Sequence, residues 1–574
     1  MQKSCRQCAR NYEITEEDFA FYKKVDVPEP KLCPDCREQR RRTFRNDRYF
    51  YNRKCDFCGK QMISLYDPEH TDNIYCNTCW WSDKWDPLQY GREYDFSRPF
   101  FEQFRQLWEA IPKITMVNDN GSRSINCEYT SDFSMGKNAY MVNNSWHVQD
   151  CMYGYQVNFV KDCVDNLYLY HCELMYETVF GDNSYGCQNC RQVTNSNDCI
   201  FGYDLIGCSD CILCAGLRNK KYSIRNKQFG KEEYFREKEE LRLDSRKSRL
   251  KLQEEFERFM LTIPHKYANL INCEDCTGDN LIRSKNSKEC YNFPNLFHCK
   301  FLTDGDGGKY SYDCNSTGNP ELCYDCITPD NGYMCRFTVN CWNSQYLFYS
   351  ENCHNASQYL FGCSGLKKAK YCILNKQYSK EEYEALLPKI INHMKENGEW
   401  GEFFGPEVTL FAYNESSANE YFPVSEDRAL ELGYRWSHKP NGTFGKETAT
   451  EIPDSINDIN QEGDFGGRNI LREILACRAP QGDGKNCSKN YKITKEEFEF
   501  YKKHAIPIPE YCPDCRHKTR RSQLNPKKLW HRQCMCNNAS HKHPGRCREE
   551  FETTYPPGRS ETVYCEKCYL ETVY

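Results

Sequence analysis

Eight cysteines near the start of the chain are spaced as metal ligands would be. They form four CxxC pairs: Cys5/Cys8, Cys33/Cys36, Cys55/Cys58 and Cys76/Cys79. Tetrahedral Zn²⁺ takes four thiolates, which two such pairs supply. Consecutive pairs therefore predict one zinc site from Cys5, Cys8, Cys33 and Cys36, and another from Cys55, Cys58, Cys76 and Cys79. An interleaved pairing, first with third and second with fourth, is the alternative, and eight metal-free thiols are a third interpretation.

The same arrangement returns at the other end of the chain. Within Cys5–Arg37, the part from Cys8 to Arg37 recurs as Cys487–Arg516 at a constant offset of 479 residues, and the cysteine spacings between pairs are kept. Two pairs carry insertions, which separate Cys477 from Cys487 and Cys534 from Cys547. The predicted ligands of two further zinc sites are Cys477, Cys487, Cys512 and Cys515, then Cys534, Cys547, Cys565 and Cys568. We therefore expect about four zinc ions per chain.

The second insertion brings additional candidate ligands. Cys536 is left over from the predicted pairs, and His541 and His543 lie in the same inserted loop. Imidazole and thiolate both bind zinc. Either histidine, or Cys536, could therefore replace a predicted ligand.

Cys5–Arg37 resembles a bacterial probable zinc-binding domain family. The shared pattern is CxxC, a Glu-containing helix that ends in Phe-Tyr, then Pro and CPxCR. The resemblance implies zinc on Cys5, Cys8, Cys33 and Cys36, and it is weaker at Cys477, where the insertion departs from CxxC. The whole layout is similar to Cys-rich proteins predicted from environmental bacterial genomes, a resemblance that implies no function.

A basic segment follows the second cysteine pair of each terminal module. The segment from Arg37 to Lys54 has a net charge of +6, and the segment from Arg516 to Arg532 has +7. Arginine and aromatic side chains together suit phosphate contact and base stacking, although a solvated basic helix has the same pattern. The candidate nucleic-acid residues are Arg40, Arg41, Arg42, Arg45, Arg48, Arg520, Arg521, Lys527 and Lys528.

The middle of the chain is repetitive. Cysteines at 151, 172, 190 and 208 are separated by 21, 18 and 18 residues, and those at 314, 335, 353 and 372 by 21, 18 and 19. This pattern predicts a duplicated parallel β-solenoid with a repeat of about 18–22 residues and cysteine as a small inward side chain. Cys208, Cys211 and Cys214, and the pairs Cys187/Cys190, Cys273/Cys276 and Cys323/Cys326, are interpreted as core thiols, with further metal sites as the alternative.

These motifs predict a mainly β, multi-domain chain in which two-zinc ribbon modules flank the solenoid. Thr15 is the expected N-cap of a helix that covers the first zinc site. The predicted segments are a zinc module at 1–95, a connector helix at 96–119, solenoid halves at 120–229 and 265–378, a charged helix at 230–264, a helix and linker at 379–469, and a second zinc module at 470–574.

Composition limits the function classes. The net charge is -5, and we expect neither a cleaved signal peptide nor a membrane span, so the 39 cysteines predict a cytoplasmic chain of thiols and metal ligands. No catalytic motif stands out, which favours a non-enzymatic protein that binds nucleic acid or ribonucleoprotein. A protein-interaction scaffold on the solenoid, and a thiol-redox or metal-storage protein, are the alternatives. The oligomeric state stays open.

Overall fold

The computed structural model describes the chain except residues 119–122, 316–317, 319, 323, 328–331, 333–337, 339–344, 440–441, 450 and 482–485. Cys323 and Cys335 therefore lie outside the described residues. The chain forms two compact units, one from Met1–Ser122 with Asn269–Lys439 and the other from Arg123–Ala268 with Pro440–Tyr574. Each unit thus joins one terminal module to one repeat block, and the N-terminal module belongs with the second block.

The helices are mostly short and lie outside the repeat blocks. In the first unit they are Glu16–Lys24, Pro34–Arg42, Asn77–Trp81, Phe100–Ala110, Lys380–Glu396, Ser417–Tyr421 and Glu426–Glu431, with 3-10 turns at Pro87–Tyr90, Pro406–Val408 and Tyr413–Glu415. In the second unit they are Lys231–Glu240, Arg246–Met260, Lys495–Lys503, Pro513–Ser522 and Glu566–Val573, with a 3-10 turn at Ile456–Asp458. The prediction of a single charged helix at 230–264 is wrong, because this segment forms two helices, Lys231–Glu240 and Arg246–Met260.

The repeat blocks are stacks of short parallel strands, and the mainly β class is confirmed. The first stack consists of Ile125–Glu128, Phe133–Tyr140, Ser145–Met152, Tyr155–Asn158, Val160–Lys161, Leu167–Tyr170, Val179–Asp182, Arg191–Thr194, Ile200–Ile206, Ser209–Ala215 and Lys221–Ile224. The described strands of the second stack fall into three sheets and are Leu270–Ile271, Gly278–Ile282, Cys290–Pro294, Leu296–Phe297, Gly308–Lys309, Gln345–Phe348, Gln358–Phe361 and Lys370–Ile373. An antiparallel strand ends each stack, Lys227–Gln228 in the first and Lys376–Gln377 in the second.

The remaining strands belong to the terminal modules and their surroundings. Those of the first unit are Gln2–Ser4, Asn11–Glu13, Tyr51–Lys54, Gln61–Ser64, Ile74–Tyr75 and Lys113–Ile114. Those of the second unit are Pro264–Lys266, Thr443–Phe444, Asp464–Phe465, Arg468–Asn469, Leu475–Ala476, Lys489–Tyr491, Trp530–Gln533, Glu550–Thr553 and Thr562–Tyr564.

The predicted repeat length of 18–22 residues is wrong. In the first stack, Leu167 pairs with Val179, which in turn pairs with Arg191. Side chains follow the same step, because Asn166 Oδ1 accepts from the amide of Thr178, 12 residues later. The second stack keeps this step with one-residue departures at two strand pairs. The cysteine gaps of 21 and 18 are multiples of a shorter unit rather than whole repeats.

That shorter unit is three residues long. Along the first stack a left-handed backbone conformation recurs at every third residue, as at Asp162, Asp165 and Tyr168. Asn and Asp adopt this conformation at lower cost than most other residues, which accounts for their abundance in the repeats. At most positions of this stack, the residue two before a left-handed residue is buried, as Cys163 is before Asp165.

Both small side chains and larger apolar ones fill the interior of the stacks. Cys163, Cys172 and Cys190 are buried, and each thiol donates to the backbone carbonyl two residues earlier at 3.1 to 3.2 Å. The hydroxyl of Ser184 makes the same contact at 3.0 Å. Cysteine therefore serves here as a small buried residue with a weak donor, as the core-thiol interpretation expects.

The connector helix of the first unit is a core element. The helix Phe100–Ala110 is shorter than the predicted 96–119. It buries Phe104, Leu107 and Trp108, so it faces the core as expected. The predicted linker contributes Phe403 and Phe404 to the same core. Because these aromatic side chains are buried, residues 397–439 are an integral part of the unit.

Candidate metal centres and the arginine helices

Four groups of cysteines bring their sulfur atoms together. Within each group the four Sγ atoms all lie within 4.8 Å of one another. The groups are Cys5, Cys8, Cys33 and Cys36; Cys55, Cys58, Cys76 and Cys79; Cys477, Cys487, Cys512 and Cys515; and Cys534, Cys547, Cys565 and Cys568. The structure therefore has the sequential grouping at both ends, and the interleaved alternative is not the one that forms.

A common local design positions the sulfurs. The third cysteine of each group is the N-cap of a helix, and the fourth lies in that helix's first turn, as with Cys33 and Cys36 before and within Pro34–Arg42. The positive end of the helix dipole favours thiolate over thiol. Each group thus holds two of its sulfurs where negative charge is stabilised.

A backbone hydrogen bond recurs in all four groups. The amide of the third cysteine donates to the sulfur of the first: Cys33 to Cys5 at 3.3 Å, Cys76 to Cys55 at 3.2 Å, Cys512 to Cys477 at 3.1 Å and Cys565 to Cys534 at 3.2 Å. Such donors support thiolate ligands of a metal ion. The donor set and its hydrogen bonds therefore fit a tetrahedral metal ion such as zinc.

A fifth group lies beside the fourth and shares one residue with it. Cys536, His541 and His543 come within the same 4.8 Å limit of one another and of Cys568. The four cysteines of the fourth group also stay within that limit of one another, so Cys568 belongs to both groups. Among the described residues, no stack cysteine belongs to a group of three or more potential ligands.

The arginines of the N-terminal module are buried against the second stack. Arg41 Nη1 lies 2.8 Å from Asp325 Oδ1 and 3.3 Å from Asp313 Oδ1, and all three side chains are at most 1% exposed. Arg40 also pairs with Asp325. Arg42 Nη2 donates to Asp304 Oδ2 at 2.5 Å, and its guanidinium lies 3.5 Å from the Tyr421 ring centroid.

The other two candidate nucleic-acid residues of this segment, Arg45 and Arg48, also face carboxylates. Arg45 Nη2 lies 3.1 Å from Asp47 Oδ1, with both side chains buried. Arg48 Nε lies 3.8 Å from Glu420 Oε1. The predicted phosphate contacts of this module are therefore occupied by acidic side chains of the same unit.

The C-terminal module repeats this interface on the first stack. Arg516 Nη1 lies 3.1 Å from Asp165 Oδ2, and Arg520 Nη1 lies 2.8 Å from Asp165 Oδ1 and 3.0 Å from Glu177 Oε1. Burial raises the pKa of Glu177 to about 7, opposed by the positive charge of Arg520. Arg520 is thus enclosed by carboxylates, as Arg41 is in the first unit.

The other predicted basic residues of the C-terminal module lie nearer the surface. Arg521 and Lys527 are partly buried, whereas Lys528 is exposed. The ammonium group of Lys528 lies 5.3 Å from the centroid of the Trp530 ring. Of the nine predicted nucleic-acid residues, Lys528 has the largest exposed fraction.

Helix caps tie the modules to the stacks in the same way. Asp18 completes a capping box with Thr15, as the predicted N-cap requires, and accepts from Lys300 Nζ at 2.8 Å. Glu497 caps with Thr494 and accepts from Tyr153 Oη at 3.0 Å. One acidic side chain in each module therefore serves both the helix start and the interface.

Sequence reasoning missed the partners of the arginines. Asp313 and Asp325 are one repeat apart, as are Asp165 and Glu177, and all four occupy left-handed positions. The sequence signal for this interface is a carboxylate that recurs after 12 residues in a stack, together with an Arg-x3-Arg pair in a module helix. The cysteine spacings hide this signal because they are not multiples of 12.

Comparison with protein-family models and with curated proteins gives no match. Among solved structures, a putative acetyltransferase from Desulfovibrio desulfuricans G20 is similar over 49% of this chain and 81% of that one, at 9% identity and a TM-score of 0.10. A TM-score this low carries no argument about fold or function. In the described ranges no helix combines the length and apolar character needed to cross a membrane.

Proposed function

We propose that this chain is a zinc-stabilised, non-enzymatic scaffold for a protein partner. The observation that carries the proposal is the burial of the arginine helices in ion pairs, Arg41 on Asp325 in one unit and Arg520 on Asp165 in the other. Arginines engaged in this way hold a module to its stack. The zinc modules then act as internal supports of two β-solenoids.

The donor sets support a structural role for the metal. Each of the four groups offers four cysteines, which fill a tetrahedral zinc ion and leave no position for water or substrate. The Cys5, Cys8, Cys33 and Cys36 group would fix the start of the helix Pro34–Arg42. Zinc at that position would hold Arg41 and its neighbours in line with the second stack.

The first stack supplies a face for a partner. The rings of His147, Phe159 and His171 stack at centroid distances of 4.7 and 4.8 Å, the spacing of neighbouring strands. Phe159 is 42% exposed and Tyr185 is 43% exposed. Lysine and glutamate side chains flank this ladder at Lys161 and Glu173. An exposed aromatic strip among mixed charges suits a protein surface better than a polyanion.

Two other functions are weighed against this one. Nucleic-acid binding would require arginines that now contact carboxylates to turn outward or to exchange partners. Thiol-redox chemistry or metal storage would use the stack cysteines, but Cys172 and Cys190 are buried and donate to backbone carbonyls. Neither alternative explains why each module contacts its own stack through the same kind of buried arginine–carboxylate pair.

A cross-linking experiment tests the scaffold proposal. Full-length protein is cross-linked in cells of its source, and the captured partner is then bound to purified wild type and two variants. Phe159→Asp should weaken binding of that partner at least tenfold, because it places a charge in the aromatic ladder. Phe235→Asp, at a residue that is 41% exposed on the helix Lys231–Glu240, is the matched control and should bind as wild type does. Equal binding by all three proteins would contradict the proposed face.

A further inference from the structure

The loop between Cys534 and Cys547 collects three potential ligands that the N-terminal module lacks. The corresponding cysteines there, Cys55 and Cys58, are only three residues apart. The inserted residues include Cys536, His541 and His543, and their ligand atoms lie within 4.8 Å of one another and of Cys568. The insertion thus gathers a second set of donors next to the fourth cysteine group.

Cys536 and His541 form the buried side of this set. Cys536 is fully buried and His541 is 8% exposed. Cys536 Sγ lies 3.2 Å from His541 Nδ1. The loop is held in shape by the amide of Cys547, which donates to the carbonyl of Cys536 at 2.9 Å. A thiol and an imidazole nitrogen are therefore fixed side by side, away from solvent.

His543 has the hydrogen bonding of a metal-binding histidine. Its Nδ1 donates to the carbonyl of Gly545 at 2.9 Å. That bond places the ring proton on Nδ1 and leaves the lone pair on Nε2. Nε2 is buried and has no hydrogen-bond partner. Histidine ligands commonly donate their second nitrogen to a carbonyl in this way, so the orphan Nε2 is explained by a metal ion.

We propose a third metal ion in this module, bound by Cys536, His541, His543 and Cys568. Cys568 would then bridge this ion and the one held by Cys534, Cys547 and Cys565. Thiolate and imidazole are the donors that zinc prefers. The charges of such a bridged site nearly balance, because two divalent ions neutralise most of the negative charge of the five thiolates. Cys568 also lies in the first turn of the helix Glu566–Val573, where the dipole favours its thiolate.

Metal stoichiometry of the full chain tests this site. Purified protein is loaded with zinc, freed of excess metal, and measured by native mass spectrometry and elemental analysis. We expect five zinc ions in wild type and four in the double variant His541→Ala/His543→Ala. His531→Ala, at an exposed histidine on the strand Trp530–Gln533, is the matched control and should keep five.

The outcomes separate this inference from the proposed function. Four ions in wild type, or the same count in wild type and the double variant, would overturn the bridged site while leaving the four cysteine groups intact. A chain that holds no zinc would overturn the structural role of zinc as well. If the double variant does not fold, His543→Ala alone decides, since His543 is only partly buried. It should lose the fifth ion, and retention of five would reject the site.

Discussion

Arg520 and Asp165 lie 2.8 Å apart, Nη1 to Oδ1, and neither side chain has any exposed surface. Arg41 and Asp325 have the same relationship in the other unit, also at 2.8 Å. The two arginines are 479 residues apart in the sequence, the offset that relates the terminal modules. The two copies of the terminal module therefore share their contact with a stack as well as their cysteine spacing.

Removing one partner of this interface should be costly. In Asp325→Ala, Arg40 and Arg41 lose the carboxylate that they share. Because Arg41 keeps its contact with Asp313, the free energy of unfolding in urea should fall by more than about 1 kcal/mol but by less than the about 3–5 kcal/mol that a buried charge without any partner costs. Glu274→Ala, which breaks the exposed Lys285–Glu274 pair of the same stack, should cost less than about 1 kcal/mol. Similar losses in the two variants would argue against the buried interface.

Nucleic-acid binding should be weak and only mildly dependent on salt. Phosphate contacts release counterions and make affinity fall steeply as salt rises. Because Arg41, Arg42 and Arg520 contact carboxylates, we expect few such contacts with mixed RNA or duplex DNA in a salt titration. A steep slope, lost in the variant Lys527→Glu/Lys528→Glu, would instead support the nucleic-acid hypothesis for the exposed end of the basic segment.

The thiols of the stacks should react unequally. Burial raises the pKa of Cys172 and of Cys290, so both should resist iodoacetamide until the chain is unfolded. The hydrogen bond with Cys273 lowers the pKa of Cys276 to about 7. Alkylation of Cys276 should therefore accelerate as pH rises through about 7, since the thiolate is the nucleophile. Peptide mapping measures each site, with Cys276→Ser as the control. Rapid reaction of Cys172 in native protein would favour the thiol-redox alternative.

The first unit should lose stability in mild acid through His354. Burial lowers the pKa of His354 from 6.5 to about 3, helped by nearby Lys367. The unfolded chain therefore takes up a proton as pH falls below about 6.5, whereas the folded chain does not. His354 should reduce the free energy of unfolding by up to ~1.4 kcal/mol per pH unit between those two values. In His354→Gln that contribution should vanish, and an unchanged pH slope in urea unfolding would refute it.

The four cysteine groups could be predicted from the sequence because they depend on local spacing. Cys33 and Cys36 lie at a helix start that CPxCR encodes within four residues, and the duplicate at Cys512 has the same form. The cap at Thr15 is equally local. Such features depend on only a few neighbouring residues, so the pattern of residue types is sufficient to predict them.

The contacts between distant segments could not be predicted in this way. The basic segment that contains Arg41 has the composition of a phosphate-binding segment. Only the position of Arg41 opposite Asp313 and Asp325 in the structure shows which groups it contacts. The repeat length was misjudged because cysteine shares the inward positions with residues such as Ser184 and Val193, so many repeats carry no cysteine there. The Asn and Asp residues at the left-handed positions, which are spaced by multiples of three along the first stack, are the more regular signal in the sequence.

A double-mutant cycle on Arg520 and Asp165 tests the account most directly. The free energy of unfolding is measured for wild type, Arg520→Met, Asp165→Ala and the double variant, each loaded with zinc. The account predicts that the double variant loses at least about 2 kcal/mol less than the sum of the single losses, because the two charges are buried together. Losses that add to within about 0.5 kcal/mol would show that the pair is not coupled and would contradict the proposed support of the stack by the zinc module.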